Sequence, residues 1–126
     1  MDRKSQKIIA TAQDLGSCHD FKLLKKSRTV LHPATEGLFD SGYQGQQKRQ
    51  KKTKIPHKKP KKGVLTKEQK NANTALAKQR ILAEHIIRHL KIFRILKHDY
   101  RNRRKRFGLR CNLIAALYNL GLEQKI

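Results

Sequence analysis

Acidic residues are scarce in this chain, and their scarcity is its most informative feature. The 126 residues include nine Asp and Glu against 31 Lys and Arg, which gives a formal net charge of +22. Such an imbalance predicts a polyanionic partner, most simply DNA or RNA, with an anionic membrane surface as the alternative. Any acid held in this cationic field is a candidate to anchor a divalent metal ion beside a polyanion.

Apolar sequence is also limited. Hydrophobic residues make up 37% of the chain and Trp is absent, so we expect at most one small domain with one layer of packing. There is no apolar run of roughly 18 residues and no apolar N-terminal stretch, which predicts neither a membrane span nor a signal peptide. These absences predict a cytoplasmic protein.

Several chemical signatures are missing as well. Cys18 and Cys111 lie far apart and form no CxxC unit, so we expect reduced, structural thiols and neither a disulfide nor a zinc site. The chain has no GxxxxGK[ST] or GxGxxG phosphate loop and no GxSxG motif. Nucleotide-dependent and serine-hydrolase activities are therefore not expected.

The N-terminal half predicts short elements around one acid. Residues 7–11 (KIIAT) have the length and β-branching of a strand, and residues 19–26 form a short helical pattern that Asp20 or Ser17 can cap. Residues 37–40 (GLFD) predict a second strand that ends at Asp40. The following SGYQG contains two glycines, which permit a tight turn.

Residues 48–63 form a strongly basic segment. Most of its residues are Lys or Arg, Pro56 and Pro60 interrupt it, and no acid occurs between residues 41 and 67. We expect a flexible segment that is either a solvated linker or a DNA-contacting arm.

The C-terminal half predicts two helices. Thr66 and Gln69 have the spacing of a capping box and open a helical pattern that runs to about residue 97, with a break allowed. Its apolar stripe is Leu82, Ile86, Leu90, Phe93 and Leu96. After the basic stretch YRNRRKRFGLR, residues 109–120 predict a final helix that buries Leu109, Leu113, Ala116, Leu117 and Leu120.

Two acids stand out, and each allows two interpretations. Asp40, at a strand end before Gly42, is placed to project into a cleft, but Asp before Ser-Gly is also a common turn starter. Glu84 shares a helical stripe with Arg80 and Lys91, which predicts either an ordinary Arg80–Glu84 ion pair or a metal ligand beside phosphate-binding groups. Spacing alone favours the ordinary ion pair.

Three segments together resemble a known family. FDSGYQG (39–45), RILAEHIIRHLKIFRIL (80–96) and YRNRRKRFGLRCNLIAALYNL (100–120) look like the C-terminal part of a bacterial insertion-sequence DDE transposase. SCHDFKLLKKS and IPHKKPKKGVLTKEQK resemble the stretches that flank these motifs in one group of such enzymes. The likeness covers nearly the whole chain in the same order.

The resemblance implies an α/β, RNase H-like catalytic domain, of which this chain would hold the C-terminal part of the mixed sheet plus helices. Such domains carry an Asp-Asp-Glu triad and two Mg²⁺ ions, with Mn²⁺ as a substitute, and cleave and join DNA strands. Asp40 matches the second aspartate and Glu84 the glutamate, so both are expected to be catalytic metal ligands. The family's Tyr-x2-Arg-x3-Glu-x6-Lys pattern is matched by Arg80, Glu84 and Lys91.

The expected partner is double-stranded DNA, as transposon ends and target, bound by a homodimer associated with the bacterial nucleoid. The resemblance implies that Lys91 holds DNA near the metals and that Arg80 orients Glu84 or phosphate. With the basic segments, the candidate DNA-binding residues are Arg80, Arg88, Lys91, Lys51, Lys52, Lys58, Lys59, Arg103 and Arg104.

The chain departs from the family pattern in two places. Ala77 stands where the pattern has Tyr, and the first aspartate should lie some tens of residues before the KIIAT strand, where Asp2 does not fit. We therefore expect a truncated chain that folds poorly, is inactive alone and needs an upstream polypeptide to supply the first Asp. A decayed remnant and the product of a split or frameshifted element remain alternatives.

A second class of function also fits the composition. Charge and lysine blocks alone would equally suit a non-catalytic basic nucleic-acid-binding protein. The order and spacing of the three motifs favour the transposase, since a simple binding protein has no reason to carry them.

Overall fold

The computed structural model describes residues 1–98 and 104–124, apart from the side chain of Arg104. It has α/β character and divides into two compact units, Met1–Gln13 with Ile81–Ile126 and Asp14–Arg80. The helices are α1 (Asp20–Lys26), α2 (Gln46–Arg49), α3 (Lys67–Leu90), α4 (Arg94–Lys97) and α5 (Phe107–Glu123), and the strands are β1 (Gly37–Leu38) and β2 (Thr53–Lys54). Short 3₁₀ turns lie at Ser41–Tyr43 and Arg104–Arg106. No helix among the described residues is long and apolar enough to cross a membrane.

The sheet found among the described residues is one pair of parallel strands. Gly37 is in register with Thr53 and Leu38 with Lys54, and the amides of Gly37 and Phe39 donate to the carbonyls of Lys52 and Lys54 at 2.9 and 3.0 Å. Parallel strands need a crossover between them, and here the 3₁₀ turn and α2 provide it. The strand predicted at residues 37–40 is confirmed at Gly37–Leu38.

The strand predicted at residues 7–11 is wrong, because this segment has no strand beside it in the described part of the chain. It is held by asparagine side chains of α5. The Ile8 amide donates to Asn119 Oδ1 at 2.8 Å, and Asn119 Nδ2 donates to the Ile8 carbonyl at 2.8 Å. Thr11 Oγ1 forms a further hydrogen bond with Asn112 Oδ1. A side-chain amide carries both N–H donors and a carbonyl acceptor, so Asn119 satisfies the N–H and C=O of Ile8 as a neighbouring strand would.

We expect Asn119→Ala to release this segment. The Ile8 amide loses its acceptor, so its hydrogen exchange should accelerate by about tenfold or more relative to the unmodified chain. Asn119→Asp is the matched control, since it keeps the acceptor for the Ile8 amide and should retain most of the protection. Equal exchange rates in all three proteins, measured by NMR, would contradict this account.

The basic segment at residues 48–63 includes short regular elements and two local anchors. It contains the end of α2 and strand β2, and Ile55 directly after β2 is only 6% exposed. Asn73 of α3 then brackets His57, accepting from the His57 amide at 2.7 Å and donating to its carbonyl at 3.0 Å. The buried Ile55 side chain and the Asn73 amide therefore anchor the segment as far as residue 57. After β2, residues 55–63 contain no helix or strand.

Local side-chain hydrogen bonds cap the starts of α3 and α1. The capping box predicted for α3 is confirmed, since the Thr66 amide donates to Gln69 Oε1 at 3.1 Å and the Gln69 amide donates to Thr66 Oγ1 at 3.2 Å. The predicted cap of α1 is wrong: His19 caps this helix, and its Nδ1 accepts from the Phe21 amide at 3.3 Å. The break allowed before residue 97 is found between α3 and α4.

The unit formed by Met1–Gln13 and Ile81–Ile126 has its core around Ile86 of α3 and Cys111, Ile114 and Ala115 of α5. Ile86 is 3% exposed, and in the predicted stripe of the long helix Leu82, Leu90 and Leu96 are half-buried while Phe93 is exposed. Cys18 and Cys111 are both free thiols in the structure. Burial raises the pKa of the Cys111 thiol, which favours its protonated form.

The predicted buried face of α5 is wrong. Leu109, Leu113, Leu117 and Leu120 are 69, 59, 47 and 51% exposed, and Ala116 is exposed as well. The helix buries the opposite side through Cys111, Ile114 and Ala115. Because α5 carries apolar residues around most of its circumference, the sequence pattern could not select which side packs.

Candidate active site

Asp40 lies directly after β1 and begins the turn that follows. Its Oδ1 accepts a hydrogen bond from the Ser41 amide at 2.6 Å, and its carbonyl accepts from the Tyr43 amide at 3.0 Å. The carboxylate therefore caps the 3₁₀ turn, which is the ordinary turn-starting role. Its side chain nevertheless remains 56% exposed, so capping does not withdraw it from solvent.

Arg80 of α3 contacts this same carboxylate. Its Nη2 lies 3.4 Å from Asp40 Oδ1, and the Arg80 side chain is 25% exposed. Arg80 therefore pairs with Asp40 rather than with Glu84, the partner that helical spacing favours. An ion pair this open to solvent contributes at most about 1 kcal/mol, so its main effect is on position. Both contacts use Oδ1, and Oδ2 takes part in neither.

Glu84 lies one helical turn beyond Arg80 on α3 and is exposed. Within residues 1–98 and 104–124 it forms no hydrogen bond or ion pair. Asp40 and Glu84 belong to different compact units, and α3 contributes to both.

The sequence analysis did not predict that Tyr43 would lie near the two acids Asp20 and Asp40. The ring of Tyr43 packs against Phe39 with centroids 5.4 Å apart. Burial raises the pKa of the Tyr43 hydroxyl, and the negative charges of Asp20 and Asp40 raise it further. Asp20, the first residue of α1, approaches the turn at Gly42, where a Cβ would lie 3.4 Å from its Oδ2. Only the fold brings Asp20 beside FDSGYQG, since the two segments lie some twenty residues apart in the sequence.

Gly45 makes the tight turn at the end of this loop. Gly45 has φ of 98°, a left-handed conformation that favours glycine, and the Phe21 ring lies 3.4 Å from the position of a Cβ. The tight turn predicted for SGYQG is therefore confirmed at Gly45. It positions Gln46, the first residue of α2, which is 5% exposed.

The predicted DNA-binding residues are exposed wherever their side chains are described, with the exception of the half-buried Arg80. The exposed residues are Arg88, Lys91, Lys51, Lys52, Lys58 and Lys59. Lys91 directly follows α3, and its amide donates to the Ile87 carbonyl at 3.1 Å. Arg104 begins a 3₁₀ turn, while Arg103 lies outside the described residues.

The described residues contain no group of three or more His, Cys, Asp or Glu side chains that could hold a metal ion. The two predicted metal ligands are therefore not part of a complete cage in the described part of the chain. Carboxylate oxygens are nevertheless the donors that Mg²⁺ prefers, and both acids are accessible to it.

Comparison with known proteins agrees with the motifs. Residues 1–119 match the family model described as DDE superfamily endonuclease, so the chain belongs to this family. Among individual proteins, it is 46% identical over 123 residues to a probable transposase for insertion sequence element IS702 from Microchaete diplosiphon. The match covers 98% of this chain and 45% of that relative, so the chain spans a little under half of the relative's length. No solved structure matches. The resemblance to an insertion-sequence DDE transposase is confirmed.

Proposed function

We propose that this chain is part of an enzyme of DNA transposition, which cleaves DNA at the ends of an insertion sequence and joins those ends to target DNA. The observation that carries the proposal is the contact between Asp40 and Arg80. Through this contact Asp40 of FDSGYQG binds a residue of α3, and the same helix carries Glu84 one turn after Arg80. The fold we propose for the complete catalytic domain is RNase H-like.

Asp40 and Glu84 are the proposed ligands of the catalytic metal ions. Both are exposed carboxylates, and Mg²⁺ favours hard oxygen donors, with Mn²⁺ able to replace it. When bound, two such ions would activate water or a DNA 3′-hydroxyl and stabilise the charge on the phosphate under attack. Two carboxylates are too few for two ions, so the proposal requires a third acid from outside the described residues.

Basic side chains near the two acids have distinct proposed roles. Arg80 balances the charge of Asp40 and holds its carboxylate in one orientation, which is supported by their 3.4 Å contact. Arg88 and Lys91, exposed and C-terminal to Glu84, would bind phosphates of the DNA and hold the strand beside the metal ions. At about 100° per residue, Arg88 lies about 40° from Glu84 around the axis of α3. If the same spacing is extended by one residue beyond the end of α3, Lys91 lies about 20° from Glu84 on the other side.

The basic segment would bind the DNA backbone. Four exposed lysines lie in this segment: Lys51, Lys52, Lys58 and Lys59. Because Ile55 and Asn73 anchor the segment, less conformational entropy would be lost when these lysines bind DNA. Arg103 and Arg104 would add phosphate contacts from a second basic stretch. Contacts of this kind give affinity without sequence specificity.

The 126 residues alone are proposed to be inactive. A complete site would need an upstream polypeptide that supplies the first aspartate, and paired ends would need a homodimer. Support comes from the absence of a three-acid cluster among the described residues and from the 45% of the relative that the chain spans. A DNA substrate would place the protein with the bacterial nucleoid in the cytoplasm.

A non-catalytic basic nucleic-acid-binding protein is the second candidate. The net charge of +22 favours it, as does the lack of a complete metal cage among the residues that the structure describes. Both candidates predict DNA binding that weakens steeply with salt, so binding alone does not separate them.

A chimera separates the two candidates. This chain would replace the matching 123 residues of the IS702 transposase, and the purified chimera would be incubated with IS702 end DNA. We expect strand cleavage at the element end with Mg²⁺ or Mn²⁺ and none with EDTA. If the chimera binds end DNA but no metal ion produces cleavage while the parent enzyme cleaves, the non-catalytic candidate is correct.

A further inference from the structure

The backbone of residues 56 and 57 is held from two sides within one compact unit of the chain. Gln44, directly after the first 3₁₀ turn, donates from Nε2 to the Pro56 carbonyl at 3.1 Å. Asn73 of α3 accepts from the His57 amide at 2.7 Å and donates to the His57 carbonyl at 3.0 Å. The start of the irregular stretch after β2 therefore has a fixed place between this turn and α3.

The same face of α3 also contacts the turn that Asp40 begins. Arg80, whose Nη2 lies 3.4 Å from Asp40 Oδ1, follows Asn73 by seven residues. At 100° and 1.5 Å per residue, the side chains of Asn73 and Arg80 leave α3 about 20° apart around its axis and about 10 Å apart along it. Both side chains belong to half-buried residues. The turn, residues 56–57 and α3 therefore form a closed set of contacts.

Two lysines follow this held backbone directly. Lys58 and Lys59, here called the anchored lysine pair, are both exposed. Since a chain advances by at most about 3.6 Å per residue, the Cα of Lys58 lies within about 7 Å of the Cα of Pro56, whose carbonyl Gln44 binds. The anchored lysine pair therefore starts beside the turn that carries Asp40.

We propose that Gln44 and Asn73 are positioning residues, which hold residues 56 and 57 so that the anchored lysine pair binds DNA phosphates beside the Asp40 turn. Phosphate contacts fix the register of a protein on a duplex, and a side chain whose backbone is already held loses less freedom on binding. Lys51 and Lys52, which precede β2, would bind phosphate independently of Gln44 and Asn73. This inference rests on the proposed function, since it takes double-stranded DNA as the partner.

A double-mutant cycle on DNA affinity tests the inference in the 126-residue chain. Lys58→Gln with Lys59→Gln should weaken binding to duplex DNA by about tenfold or more at roughly 0.15 M salt. In a background that carries Gln44→Ala and Asn73→Ala, the same two changes should weaken binding by about threefold or less, because the anchored lysine pair no longer starts from a fixed backbone. The measurement is a fluorescence titration of labelled DNA.

Two other lysines of the basic segment show whether the effect is local. Lys51→Gln with Lys52→Gln should weaken binding by the same factor in both backgrounds, whereas a general loss of structure would reduce the contribution of both lysine pairs. If circular dichroism shows that the double-alanine background loses helix, Gln44→Ala alone takes its place in the cycle, with the same expected direction. Gln44 is exposed and lies outside the helices, so its replacement leaves them intact.

The matched amide control is Gln50→Ala with Asn71→Ala. Gln50 donates from Nε2 to the Thr35 carbonyl at 2.8 Å, and Asn71 is exposed on α3. The same residue types are therefore removed while residues 56 and 57 keep the contacts from Gln44 and Asn73. The anchored lysine pair should contribute as much to DNA affinity in this background as in the unmodified chain.

Two results would overturn the inference. One is an equal loss of affinity from removing the anchored lysine pair in the unmodified chain and in the Gln44→Ala, Asn73→Ala background. The other is a reduced contribution of that pair in the matched amide control as well. Because the cycle does not depend on cleavage, coupling in the chain together with a chimera that binds but does not cleave would retain the positioning role and reject the transposition function. Cleavage by the chimera without coupling in the chain would do the reverse.

Discussion

Glu84→Gln in the chimera is expected to abolish cleavage of element ends, with a loss of about a thousandfold or more. The amide keeps the size and position of the carboxylate but loses the negative charge that balances a divalent cation. Asp40→Asn should have an equally large effect, and Asn is also a good helix-capping residue, so the turn at Ser41–Tyr43 should persist. The double variant should be no worse than either single one if, as we propose, both acids hold the same metal ions.

The matched control for this prediction is Glu68→Gln. Glu68 is an exposed acid on the first turn of the same helix, so it reproduces the charge change and the chemical change at another position. It should leave cleavage nearly intact. Both active-site variants should still bind end DNA, since removing a negative charge does not weaken attraction to phosphate. If Glu84→Gln retains cleavage within about twofold, the metal-ligand assignment is wrong.

The second large effect is expected from the basic segment. Changing Lys51, Lys52, Lys58 and Lys59 together to Gln should weaken binding of the chain to double-stranded DNA. If all four contact phosphate, the slope of the logarithm of the binding constant against the logarithm of salt concentration should fall by about 3 to 4. The measurement is a fluorescence titration at several salt concentrations.

A control set of four lysines separates local contacts from net charge. These side chains are exposed and lie outside the segment, at Lys4, Lys22, Lys78 and Lys105. Their replacement by Gln lowers the net charge by the same amount, and we expect a clearly smaller change in slope. Equal changes for the two sets would mean that the segment makes no preferred contact and that charge attracts DNA from all sides.

Features that depend on nearby residues were predictable from the sequence. The capping box of Thr66 and Gln69 involves two residues three apart, so its spacing alone identifies the start of α3. Gly45 follows from the same kind of local geometry, because a left-handed φ favours glycine.

Features that depend on distant partners were not predictable in this way. Whether residues 7–11 form a strand depends on a neighbouring strand, and in the structure an asparagine 111 residues away takes that place. Spacing favoured an Arg80–Glu84 ion pair, yet Arg80 contacts Asp40, which lies far from it in sequence. The buried side of α5 was assigned wrongly because leucines cover one face and Ile114 and Ala115 the other.

Asp40 illustrates how the two interpretations of one residue can both hold. It starts a turn, as Asp before Ser-Gly commonly does, and it also lies within reach of a helix that carries a second acid. The sequence could not decide between these roles because both use the same carboxylate. Family membership then favours the catalytic role, which remains our proposal.

The central claim is that Asp40 and Glu84 hold a common metal ion, and iron-mediated backbone cleavage tests it most directly. Fe²⁺ would replace Mg²⁺ in the chimera, and with ascorbate and peroxide it generates radicals that cut the polypeptide near the bound ion. We predict cuts near residue 40 and near residue 84, both suppressed by excess Mg²⁺ and both lost in Glu84→Gln. Cuts at only one of these positions, or cuts that persist in Glu84→Gln, would contradict the claim.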